Sequence, residues 1–475
     1  MMRSLYSAVT GLKAQQTAMD VIGNNISNVN TVGFKASRTT FNELFYQKTQ
    51  SASGPDANTG KGGQNAKQIG LGASVSGINV DITNPGGFET TNRPFDIAIN
   101  GDSFFIVQNN GSNYFTKAGN FTTDGAGNLV TDGGAYVMGY ITDAPGANLQ
   151  TDMVRPLQIY TAKYMYTDPK ATASATLTGN LNKSDVNFGD GLYVTANVSL
   201  FDNLGNEYDV QLRLSKTYDA DGNAITDDNK NPVYNIVAAG VYSGSKLVSE
   251  LSVSMTGTLT FDAVTGKILE DSTSVFDMTI TGPGSDAMAF TYTQEDVDEY
   301  YKENPDGTEP PVVGEPRVIK LDCSKLTQHG AETNIEPAKG IYDKSVGGMV
   351  GTGKKVGEMT SVGVQPDGCI VAAYSNGDNC VIGQIAVATF VNPAGLEKMG
   401  DNMYAATLNS GEFDGIGKTI TAAGGKMAPG VLEMSNVDLA QEFTKMIVTQ
   451  RGFQSNSRVV TTSDSMIEEL LSLKR

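Results

Sequence analysis

One histidine, no tryptophan and three cysteines in 475 residues leave this chain little catalytic chemistry. A lone His329 removes most acid–base and nucleophile–base arrangements, and no HExxH or CxxC pair is present for zinc. Cys323, Cys369 and Cys380 are too few for a disulfide framework. No run approaches the ~18 apolar residues of a membrane span. Met1 to Leu12 has neither an unbroken apolar core nor a small-residue cleavage site, so no Sec-type signal peptide is expected. Basic charge is scarce as well. The net charge is −18, with five basic against two acidic residues in 1–50 and five of each in 436–475, which leaves −21 on 51–435. An acidic body repels nucleic acid and anionic membranes, and neither is expected as a partner. The length exceeds one core and predicts about two to four domains.

What is present is concentrated at the two ends. Leu5, Ala8, Leu12, Gln15, Met19, Ile22, Ile26 and Val29 alternate three and four apart, an a/d seam with Gln15 its one polar member. Leu432, Leu439, Met446, Phe453, Val460 and Ile467 lie seven apart, with Phe443 and Leu471 on the neighbouring seam. The spacing predicts a first helix over about Ser4 to Val29, ended by the Asn-rich stretch and Thr31-Val32-Gly33. It predicts a last helix from Ser435 or Asn436, with Asp438 in its first turn. Two such stripes at opposite ends bring the termini together as a stem. Neither stripe alone offsets the cost of ordering its helix. The last helix's second seam is polar at Gln450, Ser457 and Asp464. Both points make other copies of the chain the expected cover.

Between the helices the pattern is β. Lys35 to Ile69 reads as a linker or arm that orders only against something else, since Ser51 to Gln68 has almost nothing to bury. Period-two strands are expected at Ala73–Ile82, Phe95–Ile99, Ser103–Gln108, Asn113–Lys117, Asn128–Thr131 and Tyr136–Ile141. A second block over Leu157 to Glu315 predicts strands at Ala173–Leu181, Tyr193–Phe201, Tyr208–Leu214, Val233–Val241, Leu251–Phe261, Val275–Thr281 and Met288–Tyr292, as a sandwich or open barrel. Asp124 to Asn128 and Asp202 to Asn206 read as turns. The acidic, proline-containing run Glu295 to Glu315 reads as a solvated loop. Cys369–Tyr374 and Cys380–Phe390 flank Asn376-Gly377 as a hairpin. A two-residue turn there pairs Ala373 with Cys380 and leaves Cys369 ~13 Å away at ~3.3 Å per residue. That exceeds the ~7 Å limit for a disulfide, so free thiols are expected.

The fold class expected is therefore multidomain. Terminal helices form a coiled-coil-like stem (1–30 with 436–475), followed by a flexible arm (31–70). Two mainly antiparallel β domains complete it: an inner, discontinuous one (71–150 with 356–435) and an inserted outer one (151–355).

Isolated motifs are weak. Ser243-Gly244-Ser245-Lys246 fits Ser-x-x-Lys but falls in a turn between strands. Gly348 to Lys355 misses a phosphate loop, with Lys355 in place of the magnesium-binding Ser/Thr. Asp219, Asp221 and Asn223 start like a calcium loop, but Ala224 and Lys230 replace its glycine and its glutamate. No catalytic, cofactor-binding or metal residue is assigned.

Asn24-Asn25-Ile26-Ser27-Asn28-Val29-Asn30-Thr31-Val32-Gly33-Phe34-Lys35 resembles the N-terminal signature of bacterial flagellar rod and hook proteins. The resemblance continues at Asp96 to Gly101 with Phe104-Phe105, at Lys117 to Phe121, at Tyr374 to Gly377, at Gly383 to Ala386 and at Phe390 to Leu396. It closes at Ser435 to Leu439 and Gln450 to Arg458. Asn25, Asn28, Asn30, Thr31, Gly33, Phe34 and Lys35 are the signature positions. Within this group the chain's length and its inserted β block resemble hook proteins more than the shorter rod proteins or the hook–filament junction protein. The resemblance implies a structural subunit of a curved, torque-transmitting tube outside the cell. It implies export through the flagellar type III machinery without a cleaved signal, and growth beneath a hook cap protein. Contacts with distal rod and junction proteins would follow. Leu5, Leu12, Met19, Ile22, Ile26, Val29, Leu439, Phe443, Met446, Phe453, Val460 and Ile467 would then form the polymerisation interface. A secreted β-rich adhesin and a carbohydrate-active enzyme are the competing readings. The enzyme needs a paired-carboxylate cleft, whereas the acidic residues here cluster in loops.

Overall fold

In the computed structural model the described residues are 2–55, 60, 62–189, 191–218, 224–227, 229–269, 274–282, 290–303, 310–343 and 348–473. Asp219, Asp221 and Asn223 lie outside them. Most of the ordered chain is β-sheet, framed by an N-terminal helix, Met2–Ser27, and a C-terminal helix, Leu439–Ser472. The chain divides into two compact units: 1–165 with 361–373 and 379–475, and 166–360 with 374–378.

In the first unit the central strand order runs Asn379–Ile385, Tyr136–Thr142, Phe104–Asn109, Ser112–Thr116, Met403–Ala405, Glu397–Gly400. Its core gathers Phe104, Ile106, Phe115, Met138, Tyr140, Leu396 and Tyr404. Edge-on ring contacts link Phe115 with Phe390 and Phe413, at centroid distances of 4.7 and 5.3 Å. Two short antiparallel pairs join distant segments: Ile97–Asn100 with Lys426–Pro429, and Phe88–Thr90 with Val431–Glu433.

The expected linker is instead an ordered ribbon. Ser37–Glu43 pairs antiparallel with Ala73–Val80, and Tyr46–Gln50 pairs with Lys67–Gly70. Its first pair of strands takes support from the N-terminal helix and not from its own side chains, as expected of an arm that orders only against something else. It lies against the N-terminal helix so closely that a Cβ on Gly72 would come 2.0 Å from Thr10 Oγ1. A cleft between helix and ribbon is lined by Thr10, Ala14, Leu44 and Val75.

The second unit is a sandwich. One sheet runs Ser252–Ser254, Val275–Thr281, Val318–Thr327, Ser174–Asn180, Asn334–Lys339. The other is built on Val194–Phe201, Glu207–Lys216 and Val233–Ser243. Alternate residues of both sheets, among them Leu177, Val210, Leu212, Tyr234, Ile236, Met278, Ile319 and Leu321, share one core. Ser174–Asn180 pairs parallel with Val318–Thr327, a strand absent from the sequence expectation. The expected strand Leu251–Phe261 breaks at Met255, because its first half pairs with Val275–Thr281 and its second with Val233–Ser243. Part of the expected strand Met288–Tyr292 lies outside the described residues.

Two further expectations are corrected. Gln294–Glu303 is a helix and not a loop, opened by a reciprocal cap: Thr293 N donates to Asp296 Oδ2 at 2.7 Å and Asp296 N to Thr293 Oγ1 at 3.4 Å. The prolines that suggested a loop begin only at Pro305. The hairpin at Asn376-Gly377 carries one more turn residue than expected, so Cys380 faces Ala372 and Cys369 faces Gln384. Gly377, at φ +87°, takes the left-handed position of that longer turn. Cys323, Cys369 and Cys380 are not joined in disulfides. Ser243 faces Lys246 across a tight turn, and Gly348–Val350 and Thr352–Lys354 are strands, so neither loose motif has a catalytic or phosphate-loop setting.

Candidate assembly site at the joined termini

The two terminal helices pack antiparallel on each other, but not through the large apolar residues. Gly11 meets Asn456 so closely that a Cβ would lie 2.7 Å from Asn456 Nδ2, and Gly452 stands likewise against Gln15. Ala8, Ala14, Ala18, Ile22 and Asn25 are buried on the first helix, and Glu442, Thr449 and Ser463 on the last. Each seam is thus rotated by one residue from the apolar expectation. Positions Ala8, Gln15 and Ile22 are kept, while Gly11, Ala18 and Asn25 replace Leu12, Met19 and Ile26. On the last helix Met446, Phe453, Val460 and Ile467 are half-buried, alternating with Glu442, Thr449, Asn456 and Ser463. Small residues allow the helices to approach; the large ones are pushed to the flanks.

Of the expected interface residues only Ile22 is buried within the chain. Leu5, Leu12, Met19, Ile26 and Val29 stay half-buried. Leu439, Phe443 and Ile447, successive turns of one stripe, are exposed, and so is Val448 beside Ile447. Asp438 is the N-cap itself, accepting from Ala440 N and Gln441 N, so the cap lies two or three residues later than expected.

The signature stretch after the first helix is where the two ends are tied. Asn25 is buried; its Nδ2 donates to Ser37 O at 2.8 Å and to Glu442 Oε2 at 3.1 Å, and its Oδ1 accepts from Ser37 N. Asn28 and Thr31 close the helix end through Asn28 Nδ2 to Asn24 O and Thr31 Oγ1 to Asn28 Oδ1, while Asn30 faces solvent. Gly33 sits at φ +68° with its N donating to Glu433 O at 2.7 Å. A Cβ there would come 2.6 Å from the Ala118 backbone nitrogen, so both conformation and space require glycine. Phe34 is buried beneath Lys398 Nζ, 4.8 Å from its ring centre. Lys35 Nζ reaches Glu433 Oε1 at 2.7 Å and Asn84 O at 2.8 Å, with both charged side chains about 1% exposed. Asn436 completes the knot, accepting from Ala36 N and donating to Asp81 O.

A second buried cation lies beside this pair. Lys117 Nζ donates to Gly101 O at 2.6 Å and stands 5.2 Å above the Phe104 ring. Burial pushes its ammonium down to about 8; Lys35 pushes the same way, and Glu433 and Asp102 oppose. The second carboxylate oxygen of Glu433 is buried without a hydrogen-bond partner.

Glu433, Asn436 and Glu442 were not singled out for these contacts from sequence. Glu433 carried one signal: a carboxylate inside the apolar run Val431-Leu432-Glu433-Met434 is expensive to bury unless a cation meets it. Among the described residues no group of three or more His, Cys, Asp or Glu is placed to hold a metal ion, and no helix is long and apolar enough to cross a membrane.

The same segments are those that match known families. Residues 5–35 match the flagella basal body rod protein family, 98–156 the flagellar hook protein FlgE/F/G D1 domain, and 428–473 the flagellar basal body rod FlgEFG protein C-terminal family. Over 492 residues the chain is 34% identical to the flagellar hook protein FlgE of Borreliella burgdorferi, covering 100% of both. The chain belongs to the flagellar hook protein family. A second hook protein, from Treponema pallidum, is 31% identical over 500 residues, again with 100% of each chain covered. The crystal structure of Helicobacter pylori flagellar hook protein FlgE2 matches 71% of this chain and 98% of its own, with 15% identity and a TM-score of 0.42. Hook proteins are structural parts of the flagellum, not enzymes, and this chain is a hook subunit. The adhesin and carbohydrate-enzyme readings are thereby replaced.

Proposed function

We propose that the chain self-assembles into a flexible curved tube that acts as a universal joint, passing torque from rod to filament. The observation that carries this is the pair of apolar flanks left uncovered by the packed terminal helices. Leu439, Phe443, Ile447 and Val448 on one helix are exposed, and Leu5, Leu12, Met19 and Ile26 on the other are only half covered. Side chains of this kind gain free energy by leaving water, and further copies of the same chain offer the matching stripes.

In this reading 1–30 with 436–475 form the polymerisation domain and 31–70 an arm. The inner β domain, 71–150 with 356–435, forms the tube wall, and 151–355 form the outer domain. Export follows the flagellar type III route without a cleaved signal, and the subunit adds beneath a cap protein. Distal rod and hook–filament junction proteins meet the tube at its two ends. Nucleic acid and membranes are not partners. The acidic middle of the chain keeps outer contacts wet, which lets neighbours slide as the tube bends.

Electron microscopy of the purified chain at high concentration tests the reading. Curved tubes are expected; persistent monomers would contradict it.

A further inference from the structure

The inner β unit carries a second feature that the helices do not explain. The loops around 389–396 and 405–413 are zipped together by Asn392 Nδ2 to Asn409 O at 3.1 Å and Thr407 Oγ1 to Gly395 O at 2.6 Å. Within the second loop Thr407 N donates to Ser410 Oγ at 2.8 Å, and Ser410 is fully buried. These loops hold Val391 and Leu408 in water at 99% and 96% exposure. Beside Leu408 opens a groove of about 860 Å³ whose floor includes Phe115 and Phe413 and whose charged lining, among the described residues, is Glu397 and Glu412. A groove floored by aromatic rings, with Asn113, Thr407 and Asn409 among its polar lining and two glutamates as its charged groups, suits an aromatic segment accompanied by cations.

The ribbon beside the N-terminal helix carries exposed aromatic and cationic side chains, with one carboxylate among them, Glu43, which accepts from the Tyr46 hydroxyl at 2.6 Å. Phe45 is 84% exposed at the bend between its two strand pairs, and Tyr46 follows it, half exposed. Lys48 and Lys67 lie just beyond on the paired strands Tyr46–Gln50 and Lys67–Gly70, and both are exposed.

We propose that the groove at Phe115, Leu408 and Phe413 is a docking site for the ribbon of a second copy of this chain. Phe45 and Tyr46 enter the groove, and Lys48 and Lys67 face Glu397 and Glu412. The site and its occupant are different surfaces of one chain, so the contact is head-to-tail. Contacts of that type propagate into open helical polymers, where a self-complementary patch would stop at a dimer. The proposal rests on the polymerising reading above and adds a contact outside the helix pair.

The test uses the full chain during assembly. Phe45→Cys/Leu408→Cys, oxidised with copper phenanthroline, should yield a ladder of disulfide-linked dimers, trimers and longer chains. Each single variant should show no ladder beyond that of the parent. In parallel, Glu397→Lys/Glu412→Lys should raise the concentration needed for assembly by about tenfold, and adding Lys48→Glu/Lys67→Glu should restore it. Tubes in which neither the ladder nor the charge-swap rescue appears overturn the docking alone. A parent chain that forms no tubes overturns the polymer reading and the docking together.

Discussion

Lys35 and Glu433, 398 residues apart in the chain, meet at 2.7 Å with neither side chain more than about 1% exposed. The pair joins the segment leaving the first helix to the strand that leads into the last one. Removing one partner strands a buried charge, whereas replacing both does not. Lys35→Met should therefore destabilise the monomer by ~3–5 kcal/mol, and Lys35→Met/Glu433→Leu should recover most of that. Urea unfolding of the two variants beside the parent checks it.

Lys117 makes stability depend on pH in the alkaline range. Its folded value is about 8 against 10.5 for a free lysine, so between those values the unfolded chain holds more of the proton. The penalty of burying the charged form is full below about pH 8 and fades as pH rises towards 10.5. Melting temperatures from pH 7 to 10 should thus rise for the parent relative to Lys117→Met, in which this contribution is absent. Parallel profiles for the two proteins would contradict the assignment.

Gly33→Ala should cost more than ~1 kcal/mol, because alanine strains at φ +68° and its Cβ would meet the Ala118 backbone. Gly11→Leu should separate the helices, since Asn456 Nδ2 already stands 2.7 Å from the Cβ position. Far-ultraviolet circular dichroism and sedimentation velocity of Gly11→Leu should show a folded β core and weakened assembly.

Three hairpin turns share one device: Asp124 with Asn128, Asp202 with Asn206, and Asp227 with Asn231. In each, Oδ1 of the aspartate accepts from the backbone N of the asparagine at 2.7–2.8 Å, and Oδ2 accepts from its Nδ2 at 2.8–2.9 Å. Hydrogen bonds from Asn128 hold the Asp124 carboxyl below the usual carboxylate range, and those from Asn231 do the same for Asp227. Carboxyl titration by NMR should find both below that range, and Asn128→Ala should return Asp124 towards it.

Local patterns carried much of this architecture into the sequence. Alternation placed Val194–Phe201 and Val275–Thr281, whose buried residues recur at every second position, and the first half of Val233–Ser243, before a bulge shifts its phase. The first two of the Asp-to-Asn turns were legible from their Gly and Asn content. What stayed hidden depends on partners far along the chain. The strand pair Ser37–Glu43 with Ala73–Val80 lies against Thr10 and Ala14 of the first helix, support that its own composition does not announce. The helix seam follows Gly11 and Gly452, where absence of a side chain decides, and a search for large apolar residues passes over such positions. The role of Lys35 became visible only when Glu433 stood beside it.

The central claim is that the outward apolar side of the last helix joins one subunit to the next. Electron microscopy of Leu439→Glu/Phe443→Glu/Ile447→Glu beside the parent, with circular dichroism to confirm the helices, tests it most directly. Curved tubes from the parent and folded monomers from the variant are the predicted result. Tubes of unchanged yield from the variant would contradict it.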